Sequence, residues 1–339
     1  TNYNLDSSFG FARGFDHFDY LEPDRYLNAP PRANKLALYN IFRLLKERLL
    51  PQTRKARHFY QSGREVNARG LKILASFQKK PERPFFLWLH YMEPHDPYFS
   101  AEGPSYARVS HPHPPKQWAV PMKKAYRDDV HRFDQFFGSL LEQLDALNLR
   151  HKVHIIVASD HGEEFYEHSG FYHGTTLYEE QIHLPLMMSG VTLSPGVDTA
   201  IARQIDLAPT IVALFGHSAP ESWEGRDLLG DSTPALYSLA QEDHQGNRLS
   251  SIQVDDDNHR YKLIEANTNN PRGLPEHELF ELNHDPEEKA PLSTEALIER
   301  LKTLRQKAEQ ESSQNQAAKN LRALDTAAEA ELRALGYIE

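Results

Sequence analysis

The fold of this chain is limited above all by two short, mainly apolar runs, at residues 84–90 and 153–158. Runs of this length without polar alternation are typical of strands that are covered on both faces, as in parallel sheets. Helical periodicity precedes each run, at residues 62–79 and 121–147. Helices that alternate with such strands predict an α/β fold with a mostly parallel central sheet flanked by helices.

The remaining periodic segments extend this pattern towards both ends of the chain. The apolar residues of 35–50 recur at helical spacing, and Pro51 ends that run. Residues 184–188 predict another strand, and residues 204–215 predict a helix that ends before Gly216. These segments add two further helices and one strand to the predicted α/β domain.

The pattern changes after about residue 245, where short alternating segments replace the longer periods. Such segments, separated by turn-rich sequence, predict a small antiparallel subdomain, and the tail rich in Ala, Glu and Lys predicts a helix. The predicted strands are 250–254, 259–265 and 278–283, and the predicted tail helix is 294–335. We therefore expect an α/β domain at 1–245, an antiparallel subdomain at 246–290 and a helical tail at 291–339.

Charge and cysteine content exclude several classes of protein. The 48 acidic residues outnumber the 38 basic ones and give a formal charge of -10, which disfavours a general nucleic-acid surface. No stretch reaches the roughly 20 apolar residues that span a bilayer, so we expect a soluble chain. The absence of cysteine excludes disulfides, thiolate metal sites and a cysteine nucleophile. It leaves the compartment open, because periplasmic and cytoplasmic proteins both fit.

Polar residues follow the second apolar run directly. Asp160 and His161 come just after the predicted strand 153–158, at its carboxyl end, where ligands gather in α/β sheets. An adjacent carboxylate and imidazole suit a divalent metal ion, and Gly162 allows a close backbone turn. An ordinary surface turn explains this tripeptide equally well.

Two other histidines come from segments that could reach the same edge. His95 follows the first apolar run, and His173 lies close enough to Asp160 in sequence for its loop to fold back. Three polar clusters converging on one edge indicate a site rather than three unrelated turns. The neighbouring Glu163, Glu164 and His168 are more typical of a solvated charged loop than of a site.

An ordered series of sequence strings carries a family resemblance over nearly the whole chain. The strings are GFARGFDHF, PFFLWLHYMEPHDPY, VASDHGEEFYEHSG, HGTTLYEEQIHLPL, IDLAPTIVALFG, ELFELNHDPEE and LRALGYIE. Together they resemble bacterial sulfatases of the alkaline-phosphatase superfamily. The resemblance implies an α/β hydrolase with one divalent cation, Ca²⁺ or Mg²⁺, and a hydrated formylglycine as nucleophile.

The resemblance also implies roles for individual residues. Asp160 and His161 match two metal-ligand positions, where some sulfatases have Asn in place of the second. His95 matches the histidine that contacts the sulfate and assists the leaving oxygen. His173 lies where many relatives place a lysine against the sulfate; the alternative is that His173 binds a second metal ion.

The nucleophile position has no counterpart in the sequence. In the family, formylglycine forms from the first residue of a Cys/Ser-x-Pro-x-Arg motif, upstream of the string that here begins at Gly10. The one partial match, Asn28–Arg32, has Asn at the nucleophile position and lies downstream of that string, so we interpret it as coincidence. We therefore expect a sulfatase whose nucleophile segment is missing from this chain.

Three functional hypotheses follow from these residues and from the family resemblance. The first is a sulfuric ester hydrolase acting on a small-molecule or glycan sulfate ester, without nucleic-acid or membrane partners. The second is a phosphate or phosphonate ester hydrolase of the same superfamily. The third is a non-catalytic fragment or pseudoenzyme. Substrate identity and oligomeric state stay open, because variable loops build the substrate pockets of such folds.

Overall fold

A computed structural model describes most of the chain, and its contacts divide the chain into two compact units. The first unit comprises residues 1–155 and 189–192, and the second comprises residues 156–188 and 193–339. The predicted boundaries near residues 245 and 290 stay predictions. The described residues are 5, 10–29, 33, 36–50, 56–77, 83–100, 106, 108, 111–190, 193–230, 235–244 and 246–316.

Three helices form most of the regular structure of the first unit. They are α1 (Ala37–Leu49), α2 (Gly63–Phe77) and α3 (Ala119–Ala146), and they confirm the helices predicted at 35–50, 62–79 and 121–147. Pro121 is tolerated in the first turn of α3, because backbone N–H groups there have no acceptor within the helix. Buried leucines pack α2 against α3 and form one apolar core, which contains Leu74, Leu140 and Leu144.

The apolar run at 84–90 does not form the predicted strand. Phe85, Leu87 and Leu89 pack onto the core of α2 and α3, but Phe86 and Trp88 are 48% and 57% exposed. None of the described strands pairs with this run. The prediction of a strand covered on both faces is therefore wrong. An apolar run shows which side chains can be buried, whereas a strand also needs a neighbouring backbone to which it can hydrogen-bond.

The apolar run at 153–158 does form a strand. Strand β1 (Ile155–Ala158) is followed by a hairpin in which β2 (Glu164–Phe165) pairs antiparallel with β3 (Phe171–Tyr172). Helix α4 (Glu179–Ile182) leads to β4 (Leu186–Ser189), which pairs with β1. The strands predicted at 153–158 and 184–188 are confirmed as β1 and β4.

Helix α5 (Leu207–Leu214) follows in the second unit and confirms the helix predicted at 204–215. One 3-10 turn, Gln204–Asp206, leads directly into α5. The other 3-10 turns are Tyr26–Asn28, Ala56–His58, Lys116–Trp118 and Arg150–Lys152. None of the helices that the structure describes is long and apolar enough to cross a membrane.

A four-stranded antiparallel sheet confirms the antiparallel character predicted for the C-terminal part. It has the order β5-β6-β7-β8, so that each strand pairs with its neighbour in sequence. The sequence did not predict β5, and the tail helix is confirmed as α6 over the described part of 294–335, with 317–335 outside the described residues. The bounds are β5 (Tyr237–His244), β6 (Asn247–Asp256), β7 (His259–Ala266), β8 (His277–Glu281) and α6 (Glu295–Gln316).

Buried apolar residues lie on both faces of this sheet. Leu263 and Leu279 on one face pack against Leu301 of α6. Ile264 and Phe280 on the opposite face pack in a second apolar cluster, with Leu177, Tyr178 and Leu249. The second cluster fixes the segment before α4 onto the sheet, and this segment follows the loop that carries His173.

Candidate functional site

The turn after β1 holds Asp160 and His161 by hydrogen bonds to the backbone. The Ser159 hydroxyl donates to the His161 carbonyl oxygen at 2.8 Å, and Asp160 Oδ1 accepts from the His161 amide at 3.0 Å. Gln204 Nε2 donates to the carbonyl oxygens of Ser159 and Asp160, at 3.0 and 2.8 Å. The backbone is thus fixed, while the Asp160 side chain stays 73% exposed.

Gly162 is required by the close approach of a neighbouring backbone. Its amide donates to the Gln181 carbonyl oxygen at 2.8 Å. A Cβ atom at this position would lie 2.1 Å from the Glu180 carbonyl oxygen, which is a severe overlap with backbone. The predicted close turn beneath Asp160 and His161 is therefore present, and only glycine fits it.

His161 and His173 form a stacked pair, with ring centroids 3.7 Å apart and an interplanar angle of 28°. His161 Nδ1 lies 2.8 Å from the Gly162 carbonyl oxygen, so Nδ1 carries the proton and Nε2 has the lone pair of the neutral ring. Burial lowers the pKa of His161, and positive charge on His173 acts in the same direction. The neutral imidazole is the form that binds metal ions.

Glu163 is the partner of His173 that the sequence did not reveal. Its side chain is buried, and its Oε1 accepts a hydrogen bond from His173 Nδ1 at 3.2 Å. The predicted solvated loop is therefore wrong for Glu163, and equally for Glu164, which is fully buried. Both carboxylates have specific partners, and such partners are what make a buried charge tolerable.

The carboxylate of Glu164 forms the centre of a buried cluster behind the site turn. Arg272 NH1 and NH2 donate to its two oxygens at 3.0 and 3.1 Å, and Gln181 Nε2 donates at 3.0 Å. The Gly170 amide adds a fourth hydrogen bond, at 2.7 Å. Sequence reasoning missed Arg272, because more than 100 residues separate it from Glu164 and neither lies in a recognisable motif.

His168 is also largely withdrawn from solvent, with its side chain 11% exposed. Its ring stacks on Tyr178 with centroids 3.6 Å apart, and Nδ1 lies 2.7 Å from Glu180 Oε1. Nε2 lies 3.1 Å from the Glu288 carbonyl oxygen, so both nitrogens face acceptors and the doubly protonated ring satisfies both. Burial acts to lower the pKa of His168, but the interactions with Glu180 outweigh it and raise that pKa.

His95 lies in the first unit, after the apolar run 84–90. It lies between two cis X-Pro bonds, Glu93-Pro94 and Asp96-Pro97. Its Nδ1 lies 2.5 Å from the Asp96 carbonyl oxygen, and the Tyr60 ring meets it edge-on with centroids 6.1 Å apart. The tautomer with the proton on Nδ1 is thereby favoured. The convergence of His95 with Asp160 on one sheet edge stays a prediction.

The donors in the site turn fit part of a divalent-cation site. Asp160 offers a carboxylate oxygen, and His161 offers Nε2, whose other ring nitrogen is oriented by a backbone carbonyl as in many metal-binding histidines. Ca²⁺ and Mg²⁺ take about six or more ligands and prefer oxygen. These two residues alone therefore supply a minority of the contacts that such an ion needs.

Comparisons with known proteins find sequence relatives of this chain. The sulfatase family model matches residues 1–217. The human protein arylsulfatase K is 30% identical over 167 residues, which are 46% of this chain and 30% of that protein. Endo-4-O-sulfatase of Bacteroides thetaiotaomicron is 28% identical over 167 residues, 43% of this chain and 32% of that protein. The chain thus spans about a third of the length of each of these two relatives.

A solved structure gives the same result at the level of the fold. The phosphonate monoester hydrolase of Silicibacter pomeroyi aligns with 92% of this chain and 69% of its own, with a TM-score of 0.59. The two sequences are 18% identical, so this likeness concerns the fold alone. It establishes a sulfatase-like or alkaline-phosphatase-like α/β fold and does not distinguish sulfate from phosphonate chemistry.

Proposed function

The chain belongs to the sulfatase family, and from that premise we propose that it supplies the cation-binding and sulfate-binding residues of a sulfuric ester hydrolase. The observation that carries the proposal is the turn after β1. Hydrogen bonds fix its backbone, Asp160 projects from it, and His161 stacks on His173. The turn thus supplies a carboxylate and an imidazole after a strand, where ligands gather in α/β folds, and the loop after β3 adds the second imidazole.

In this proposal Asp160 and His161 hold one divalent cation, Ca²⁺ or Mg²⁺. Such an ion neutralises negative charge on a sulfate oxygen when it is bound. Asp160 suits this role because its carboxylate is exposed, and His161 suits it because Nδ1 is already engaged and Nε2 is the coordinating atom. We also propose that β1 and β4 belong to a mostly parallel central sheet, which would place this turn at the carboxyl edge.

We propose that His173 contacts the sulfate rather than a second metal ion. Doubly protonated, His173 donates from Nδ1 to the buried carboxylate of Glu163 and presents Nε2–H towards an anion. His95 is proposed to orient the leaving oxygen or donate a proton to it. The sequence contains no Cys/Ser-x-Pro-x-Arg motif, so these residues bind and orient the ester rather than attack sulfur.

The proposed substrate is a small-molecule or glycan sulfate ester. The name of the Bacteroides relative, endo-4-O-sulfatase, describes a sulfatase, and arylsulfatase K is named for the same chemistry. The fold shared with a phosphonate monoester hydrolase keeps phosphonate esters as the rival substrates. Activity tests should therefore include both ester classes.

Metal binding gives the first test, in which Asp160→Asn is compared with the control variant Asp134→Asn. Asp134 is an exposed aspartate on α3, in the first unit. We expect calorimetry to show weak binding of Ca²⁺ or Mg²⁺, at about millimolar affinity, because two ligands supply a minority of the coordination. Asp160→Asn should abolish it, and Asp134→Asn should retain it. Tight binding that survives Asp160→Asn would contradict the proposed ligands.

Turnover gives the second test, in the protein that the complete gene encodes. His173→Ala should lower aryl sulfate hydrolysis by about 100-fold, as the loss of one charge-stabilising donor does in other active sites. His173→Lys should restore much of the rate, since lysine also donates to an anion, and metal content should not change. Loss of bound metal in both variants would show that His173 is a metal ligand. Faster turnover of an aryl phosphonate would favour the rival reaction.

A further inference from the structure

A second group of metal-ligating side chains lies at one end of the antiparallel sheet. His259 begins β7 immediately after the tight β6–β7 turn, Glu281 ends β8, and His284 lies in the turn that follows. From this arrangement we propose that His259, Glu281 and His284 bind a divalent transition-metal ion of the Zn²⁺ class. The site is independent of Asp160 and His161 and shares no residue with them.

The distances fit a single ion. One ligand atom from each of the three residues lies within 4.8 Å of the others. His259 Nδ1 is 3.5 Å from Glu281 Oε1, and His284 Nδ1 contacts the other carboxylate oxygen, Oε2. Two imidazoles and one carboxylate form a donor set that zinc uses in proteins, with a fourth position left for water. The same set disfavours Ca²⁺ and Mg²⁺, which prefer oxygen ligands.

Backbone hydrogen bonds hold the carboxylate in place. The amides of Asn283 and His284 donate to Glu281 Oε1 and Oε2, at 3.3 and 3.1 Å. The Asn283 side chain joins the two turns, because its Oδ1 accepts from the Arg260 amide at 3.0 Å and its Nδ2 donates to the Asn258 carbonyl oxygen at 3.2 Å. Ligands from two separate turns are thus positioned before any ion arrives, which reduces the ordering needed on binding.

Exposure of the two histidines allows an ion to enter. The His259 side chain is 47% exposed and the His284 side chain is 80% exposed, whereas Glu281 is largely buried between them. His259 also stacks on Tyr261, with centroids 5.7 Å apart, which limits the orientations of its ring. A bound ion would connect the β6–β7 turn to the segment after β8 and should therefore raise the melting temperature of the sheet.

Titration with Zn²⁺ tests the proposal in the full chain. Calorimetry in the presence of a competing chelator should show one site that weakens at least about tenfold in His259→Ala, Glu281→Gln and His284→Ala. Removing a residue that only hydrogen-bonds to a metal ligand already lowers metal affinity by about tenfold or more, so removing a ligand itself should lower it at least as much. Circular dichroism should show that the variants keep their secondary structure. Co²⁺ should give visible d–d absorption that disappears in the same three variants.

Two control variants separate this site from other histidines. His217→Ala removes an exposed histidine after α5, and His161→Ala removes the proposed ligand in the site turn. Both should leave the affinity of the new site and the absorption of Co²⁺ unchanged. Loss of Zn²⁺ binding in His161→Ala with normal binding in His259→Ala would overturn the proposal. So would the absence of a Zn²⁺-dependent rise in melting temperature in the unaltered chain.

Discussion

The site turn and Glu164, the centre of the Glu164–Arg272 cluster, are close in sequence but use charge in opposite ways. In the site turn, backbone hydrogen bonds and Gln204 fix residues 159–162, and the Asp160 carboxylate projects into solvent. In the cluster, Glu164 is fully buried, and its own carboxylate makes the structural hydrogen bonds to Arg272, Gln181 and Gly170.

The difference shows how a site turn can be rigid while its side chains stay available for a ligand. In the site turn, several hydrogen bonds to the backbone share the task of holding residues 159–162, so the Asp160 carboxylate accepts one of them and still stays exposed. Where a carboxylate supplies the rigidity, as at Glu164, it must be paired and withdrawn from solvent. Substitutions in the two regions should therefore affect stability very differently.

The largest expected effect comes from breaking the cluster with Arg272→Met. Glu164 would keep its hydrogen bonds to Gln181 and Gly170 but lose its cation, and a buried charge that loses its partner costs about 3–5 kcal/mol. Urea unfolding followed by circular dichroism measures this loss. The matched control is Arg300→Met, whose arginine forms an exposed ion pair with Asp256 at 2.8 Å and should cost at most about 1 kcal/mol. Equal losses in the two variants would contradict the structural role of the cluster.

Gly162→Ala should break the site turn itself, at a cost of about 3 kcal/mol. That figure is the upper end of overpacking costs, because the new Cβ atom would overlap the Glu180 backbone rather than a mobile side chain. The control is Gly196→Ala, where a Cβ atom meets nothing within 4 Å. The two variants should be compared by thermal unfolding. If Gly162→Ala were as stable as Gly196→Ala, the backbone would not be what holds the turn.

Glu180→Gln should cause a smaller, pH-dependent loss of stability. It tests the raised pKa of His168, in contrast to the lowered pKa of His161. Because the folded-state pKa of His168 is raised, its stabilisation is fully present below the unfolded value of about 6.5 and is lost as pH rises through the folded value. The variant should therefore lose about 1.5 kcal/mol at pH 5.5, typical of a hydrogen bond to a charged group, and much less at pH 9.

The control for that prediction is Glu221→Gln, an exposed glutamate in the same unit, which should change stability little at either pH. Stability should be measured by urea unfolding at both pH values. A loss in Glu180→Gln that is as large at pH 9 as at pH 5.5 would show that the Glu180 side chain acts without the charge of His168. The opposite pKa shifts of His168 and His161, the first raised and the second lowered, would then need another explanation.

Sequence reasoning located the site turn because its signals are local. The β-branched run at 153–158 predicted β1, and Asp160 and His161 follow it within three residues. The period of 3.6 residues likewise predicted α2 and α3, since burial of one helical stripe is recorded in the spacing of apolar residues. The same reasoning failed at 84–90, because composition does not show whether a neighbouring strand exists.

What the sequence determined by itself is helices α1, α2, α3 and α5, strands β1 and β4, the family, and the position of Asp160, His161 and Gly162 after a strand. Only the tertiary structure decided which charges are buried and what faces them. Glu163 and Glu164 look like solvated charges in the sequence, yet one pairs with His173 and the other with Arg272. The physical reason is that periodicity depends on neighbours a few residues away, whereas pairing a buried charge depends on groups brought from distant segments.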